Sequence, residues 1–399
     1  MTPDGLPPLD IDTSEDRYSR LRLIPWWDQE ALRRAKVMVV GAGALGNEII
    51  KGLALLGIGS LLIVDFDRVE ESNLSRSVLY SSDDEGASKA HAAAAAARRI
   101  NPDCDVTALD ADITHEVGLG LFRWANVIVC GLDNREARLA VNKACWKVNR
   151  PWVDGATEGF QGVARVFVPP DGPCYECTLS EQDQRVMAVR DSCGFLAREA
   201  YRQGRTPTTP TTSAVIAGVE VQEAVKLLHK EAELPGLAGH GFFFNGMSYD
   251  CFTIEYVRRD DCLSHETWED AVESGLSSDS ATLSDVMKLA REHVGKGATI
   301  DLPCEMVTGL RCGSCGSSET LFRLLDTMKR EHAACPECGS VRVPDVAHEC
   351  NEESPFRHTV LSELGFAVMD ILPARAGERN VYIEISGDRA RVFGGDHYA

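Results

Sequence analysis

The chain has 399 residues, 44% apolar and 26% charged, enough for two or three domains with a buried core. Its 61 acidic and 41 basic residues leave a formal net charge of −20, a field that repels phosphate backbones and argues against sequence-general nucleic-acid binding. The first twenty residues lack the apolar core of a secretory signal, and the longest mostly apolar stretch, 52–64, is too short to span a bilayer; a cytoplasmic protein with no membrane partner is expected.

From residue 36 the sequence alternates strand and helix. Residues 36–40 are a short apolar strand, followed by Gly41-Ala-Gly-Ala-Leu-Gly46 and a helix from Asn47. A second strand, 61–64, ends on Asp65; an alanine-rich helix is predicted over 88–100 and another strand over 126–130. Short β-rich runs between periodic helices predict a parallel sheet covered on both faces, an α/β doubly wound Rossmann-like domain. Residues 152–169 continue the sheet. An amphipathic helix is expected over 213–229, with Lys226, His229 and Lys230 at the end that suits cations.

The polar stretch before it, 178–212, holds Gly204, Pro207 and Pro210 and reads as a mobile crossover loop. The serine- and acid-rich run 274–285 marks a boundary. Beyond it lies a smaller α+β domain, 281–399, with a helix over 282–293, a β-like run at 381–385 and a cysteine-rich insert, 304–350.

The glycine loop sits where phosphate binding needs it. A turn of small residues lets backbone N–H groups approach an anion at a helix N-terminus, and Asp65 at the end of the next strand suits a ribose. Taken alone, the loop and Asp65 point to an NAD-binding domain. The residues that follow shift the reading: Asn73, Arg76, Lys89 and Asp133 give cations and carboxylates suited to a triphosphate with magnesium.

With these residues, seven ordered motifs resemble the family of ubiquitin-activating enzymes and their bacterial relatives ThiF and MoeB. They are RYSR at 17–20, GAGALG at 41–46, DFDRVEESNLSR at 65–76, Lys89, GLDNREAR at 131–138, DGATEGFQG at 154–162 and PTTPTTSAVIAGVEVQEAVKLL at 207–228. The resemblance covers 17–265 and implies ATP-dependent adenylation of the C-terminal carboxylate of a ubiquitin-like protein. It implies that Gly41, Gly43 and Gly46 form the nucleotide loop, that Asp65 holds the ribose, and that Asn73, Arg76 and Lys89 hold phosphates. Asp133 would hold magnesium and align the carboxylate, and Arg20 would reach ATP from the partner protomer of a homodimer. It divides the chain into an N-terminal arm, 1–30, an adenylation domain, 31–269, and the C-terminal domain. Ser77 departs from the pattern, which often has Gln there. Alone, Arg17 and Arg20 read as surface charges, and Asp133 also suits a helix N-cap.

The 14 cysteines sort by spacing. Cys174 and Cys177 are a C-x2-C pair, and Cys262 and His265 a C-x2-H pair; the two halves make a tetrahedral zinc set, with His265 where the family has a fourth cysteine. Cys312, Cys315, Cys335 and Cys338 form the two matched pairs of a zinc ribbon, against a redox alternative. Cys193 falls outside both sets, in the crossover loop, where thioester-forming members of the family carry their nucleophile; otherwise it is a packed loop cysteine. Cys104, Cys130, Cys145, Cys251, Cys304 and Cys350 read as core or incidental. The C-terminal segment 360–385 faintly resembles the ubiquitin-fold domain that recruits conjugating enzymes, a generic dimerisation or capping module being the alternative. Rival readings are sulfur-carrier activation of the ThiF/MoeB type, an NAD-dependent oxidoreductase and an inactive scaffold subunit.

Overall fold

A computed structural model describes residues 15–180 and 207–394. The first sheet grows from β1 (Lys36–Val40), whose last four residues are buried, and from β2 (Ser60–Val64), which has the same pattern. Short strands buried on both faces read as continuous apolar runs, here of Val, Ile, Leu and Met, which is why they were legible in the sequence. The short α1 (Gln29–Arg34) precedes β1, and between the two strands α2 (Ala44–Leu56) ends on Gly57 with φ 79°, a left-handed cap that favours glycine. The alanine helix α3 (Lys89–Ile100) leads to β3 (Asp105–Leu109). Then come α4 (Leu119–Trp124), β4 (Val127–Cys130) and α5 (Arg135–Lys147).

The order is β3-β2-β1-β4, with all four parallel, then β5 (Trp152–Glu158), also parallel to β4. Antiparallel β6 (Gln161–Phe167), α6 (Pro210–Leu228), β7 (His240–Asn245) and β8 (Asp250–Glu255) complete the unit, the three strands extending the sheet. Strand order reverses between β1 and β4, so a crevice opens at their C-terminal ends. The helix expected from Ser213 begins earlier, at Pro210. Thr209 caps it by accepting from Thr212 N, and proline fits the first turn because no N–H is required there. The run 178–212 therefore does not remain loop to its end.

The second sheet carries β9 (Val272–Glu273), β10 (Thr299–Cys312), β11 (Ser318–Glu319), β12 (Arg323–Leu324), β13 (Arg342–Cys350), β14 (Ile371–Ala376) and β15 (Arg379–Glu384). Helix α7 (Leu283–Val294) packs on it through Leu283, Val286, Met287, Ala290 and Val294, a helical stripe behind a Thr282/Asp285 capping box. Strand β9 lies ahead of the run 274–285 read as a boundary, yet it pairs in parallel with β15. A two-residue strand offers too little pattern to be read in advance. No helix among the described residues is long and apolar enough to cross a membrane.

The two sheets are joined at α4. Gly118 N and Gly120 N donate to Val368 O (3.2 Å) and Met369 O (2.8 Å), an approach so close that a Cβ on either glycine would meet those carbonyl oxygens at 2.3 and 2.5 Å. Arg123 Nε donates to the fully buried Glu384 (2.6 Å), its Nη2 reaches Glu273 (2.8 Å), and Trp124 stacks on Phe393 at 4.7 Å.

Asp370 sits in this joint and accepts from Ile371 N at 2.9 Å; burial pushes its carboxyl up to about 6 from 3.8. The unfolded chain releases this proton first, so between pH 4 and 6 it binds fewer protons than the folded one. Stability is therefore lost as pH rises through that window, by up to ~3 kcal/mol at 1.36 kcal/mol per pKa unit. Asp370→Asn keeps an acceptor oxygen and cannot ionise. We expect its Tm to exceed that of the unmutated protein at pH 7 and the difference to shrink at pH 4.5. Thermal melts showing an equal fall in both proteins would assign the dependence to another group.

Candidate active site

The loop after β1 is shaped by steric necessity. Gly41 has φ 90°, and a Cβ there would lie 2.6 Å from Gly131 O; a Cβ on Gly46 would lie 1.9 Å from Gly41 O. Gly43 faces open space and starts α2 without a side-chain cap, which leaves an anion-favouring helix N-terminus facing the crevice. Asn47, wholly buried, fixes the loop from below: its Nδ2 donates to Ala42 O (2.7 Å) and Gly43 O (3.0 Å), and its Oδ1 accepts from Leu79 N (2.8 Å).

Asp65 follows β2, as the sequence indicated, and has a structural duty as well. Its Oδ2 accepts from Ala42 N (2.7 Å) and its Oδ1 from Asp67 N (2.8 Å), so the carboxylate holds the glycine loop. A carboxylate offers about four acceptor positions, which leaves capacity for ribose hydroxyls. Burial is the largest influence and raises its pKa, opposed by the Ala42 N–H and by Lys89.

Lys89 starts α3 and pairs with Asp67 at 2.8 Å. Asn73 is buried; its Oδ1 accepts from Glu70 N, and its turn brings Arg76 to the crevice, where Arg76 Nη1 donates to Ser72 O. Asp133 lies in the turn between β4 and α5, exposed, accepting from Asn134 Nδ2 at 3.1 Å. The cap of α5 is Asn134, whose Oδ1 accepts from Ala137 N, and not Asp133, which is left free for chemistry.

Gly41, Gly43, Asp65, Asn73, Arg76, Lys89 and Asp133 all line one cavity of about 2720 Å³. Gly46 packs behind the loop. Arg20 lies outside the cavity, highly exposed and 3.5 Å from Glu15, while Arg17 donates to Ile100 O. Cys193 lies outside the described residues. The far wall comes from the second sheet, including Asp301, Arg375 and Tyr382. Cys304, read as incidental, stands on that wall, its thiol pushed up to about 12 by burial.

The sequence reading also passed over a polar cluster under the Asp133 turn. Arg138 and Arg165 flank the fully buried Asp154, each at 2.7 Å. Behind it Glu220, on α6 and fully buried, is held well above the usual carboxylate range by burial. Gly155 makes room for it: a Cβ there would lie 2.3 Å from Glu220 Oε2.

Two further clusters fit a metal. Cys174, Cys177, Cys262 and His265 present ligand atoms all within 4.8 Å of one another, as do Cys312, Cys315, Cys335 and Cys338. A tetrahedron with 2.3 Å zinc–sulfur arms has edges of about 3.8 Å. The separations match: Cys174–Cys177 3.7 Å, Cys174–Cys262 3.5 Å, Cys312–Cys338 3.5 Å and Cys315–Cys335 3.6 Å. His265 Nε2 stands 3.3 Å from Cys177 Sγ, and Arg259 N donates to that sulfur. All are far too long for disulfides.

A switch-point crevice, a glycine turn over a helix N-terminus and a rim of Asp65, Arg76, Lys89 and Asp133 define an adenylating enzyme on a Rossmann-like fold. The chain belongs to the ThiF family, whose model matches residues 16–264. It is 35% identical over 268 residues to the SAMP-activating enzyme E1 of Haloferax volcanii, covering 64% of this chain and 90% of that protein. It is 39% identical over 240 residues to a sulfur carrier protein adenylyltransferase of Thermus thermophilus, covering 58% of this chain and 83% of the other. The crystal structure of E. coli MccB with ATP shares the fold, with a TM-score of 0.53 and 23% identity over 64% of this chain and 75% of that one.

Proposed function

We propose that the protein adenylates the C-terminal carboxylate of a ubiquitin-like protein with ATP and magnesium, then takes the acyl group onto Cys193 for transfer to a conjugating enzyme. The observation that carries this reading is the convergence of Asp65, Arg76, Lys89 and Asp133 with the glycine loop on one cavity. That cavity far exceeds the ~300–1,000 Å³ of a small-molecule site, which leaves room for a protein's chain end beside the nucleotide.

Asp65 holds the ribose, and Asn73, Arg76 and Lys89 hold phosphates. Asp133 holds magnesium, which when bound neutralises phosphate charge, and orients the incoming carboxylate. Arg20, exposed and outside its own cleft, serves the partner protomer of a homodimer. A carboxylate oxygen attacks the α-phosphorus, the bond to the bridging oxygen breaks, and pyrophosphate leaves. The Cys193 thiolate then attacks the acyl carbon and AMP leaves. Cys304, with its raised thiol, is poorly suited to that second step.

The likeness to the Thermus thermophilus sulfur carrier adenylyltransferase favours a second reading, in which the adenylate feeds sulfur transfer without an obligatory thioester. One experiment separates them. With ATP and a cognate ubiquitin-like protein, pyrophosphate exchange should accompany a thiol-sensitive adduct on a non-reducing gel, and Cys193→Ala should lose the adduct while keeping exchange. Exchange without an adduct in the unmutated protein selects the sulfur-carrier reading. An adduct that survives Cys193→Ala moves the nucleophile, with Cys251, exposed on β8, next to test.

A further inference from the structure

The geometry points to Arg138 as a positioning residue that holds the Asp133 turn in register with the nucleotide loop; the inference rests on the adenylation reading, in which Asp133 acts. Asp133 itself has almost no fixing contact: its side chain is exposed and, among the described residues, its hydrogen bond is to the neighbouring Asn134 amide. What keeps its carboxylate in place is therefore its backbone. Arg138, one turn into α5 and buried, spans that backbone. Its Nη2 donates to Leu132 O (2.6 Å) and its Nη1 to Asn134 O (3.4 Å), the carbonyls on either side of Asp133.

The same guanidinium is anchored to the neighbouring strand. Nη2 also donates to Gly155 O (2.9 Å) and Nε to Asp154 Oδ1 (2.7 Å), so the turn after β4 is tied to β5 by one rigid fork. Asp154 is kept in place by a second cation, Arg165, at 2.7 Å. From the opposite side the turn abuts the glycine loop: a Cβ on Gly131 would lie 2.6 Å from Gly46 N. The turn is gripped between loop and strand, and Arg138 is the strand-side grip. A planar five-donor group is needed for this, because a lysine ammonium on a flexible stem cannot reach two carbonyls on separate segments and the carboxylate together.

The test compares Arg138→Lys with Arg165→Lys, which touches the same Asp154 but neither carbonyl of the turn. Hydrogen–deuterium exchange of residues 131–137 is the first readout, taken on the full-length protein without nucleotide. Turnover in ATP–pyrophosphate exchange and its magnesium dependence form the second. We expect Arg138→Lys to speed amide exchange in 131–137 and lower kcat about 10²-fold, the loss that ~1 Å of misplacement causes. The magnesium concentration for half-maximal rate should rise, with KM for ATP within a few-fold. Arg165→Lys should leave the amides of 131–137 unchanged. Unchanged amides in Arg138→Lys, full turnover despite loosened amides, or equal losses in the two variants would each overturn the inference. If Arg138→Lys does not fold, Arg138→Gln, which keeps two N–H donors without the ion pair, is read the same way. A wild-type protein inactive in pyrophosphate exchange defeats the adenylation reading, whereas the amide readout scores the grip separately.

Discussion

Asp133→Ala should abolish ATP–pyrophosphate exchange, by ~10³-fold or more, while Tm stays within a degree or two of the unmutated protein. The size follows from what would be removed under the proposed function: one carboxylate that both holds magnesium and orients the attacking group, where loss of a single preorganised charge-stabilising group typically costs about 10²–10³-fold in kcat. The small stability effect follows from the geometry. Asp133 is exposed and does not cap α5, a duty Asn134 performs through Ala137 N. Had Asp133 also capped α5, its truncation would cost about 1 kcal/mol; with Asn134 as the cap, that loss does not arise. ATP titration by calorimetry completes the measurement, since the variant should still bind nucleotide through the loop and Asp65. Residual exchange near the wild-type rate in a well-folded Asp133→Ala would move the catalytic carboxylate elsewhere in the cavity.

The parts of this site that were readable in the sequence are local in the chain. Gly41–Gly46 after a short apolar run, Asp65 at the next strand end, and the C-x2-C pairs each announce themselves within a few residues, because the steric or coordination demand acts over that span. The parts that were missed act across the fold. Nothing near Asn47 reveals that its amide ties Ala42 and Leu79 together, or near Gly155 that its missing Cβ admits Glu220 from a helix 65 residues later. Arg138 was visible in the motif, yet its partners Asp154 and Gly155 belong to another strand. The joint between the sheets was similarly hidden, since Gly118 and Gly120 meet the backbone of residues 368 and 369 across 250 positions of chain.

Elemental analysis of protein purified without chelator should find two zinc ions per chain, and loss of each should unfold a different part. The ribbon has little else to hold it. Met306 and Leu324 at its base belong to the core under α7, but the cluster nearer the cysteines is only Val307, Leu310 and Met328, with Leu321 and Leu325 packed alongside, too small to offset the entropy of ordering the strand ends and their turns. Structural zinc in comparably small units binds with an apparent ~10–16 kcal/mol, most of which is folding free energy. Cys335→Ser should therefore lower the stoichiometry to one and open the ribbon to proteolysis between residues 304 and 350. Pyrophosphate exchange should fall less than tenfold, because the loop and Asp133 belong to the other sheet. The second set sits against a larger body: Trp146 lies fully buried beside Cys174 and Cys262, its ring 4.3 Å from that of His265. Cys262→Ser should detach the segment around 262–265 from α5, whose C-terminal end carries Trp146, and lower Tm by several degrees without opening the ribbon. If wild-type protein holds one zinc and Cys335→Ser holds none, the set containing His265 is empty, and Cys262→Ser should then leave the metal content unchanged.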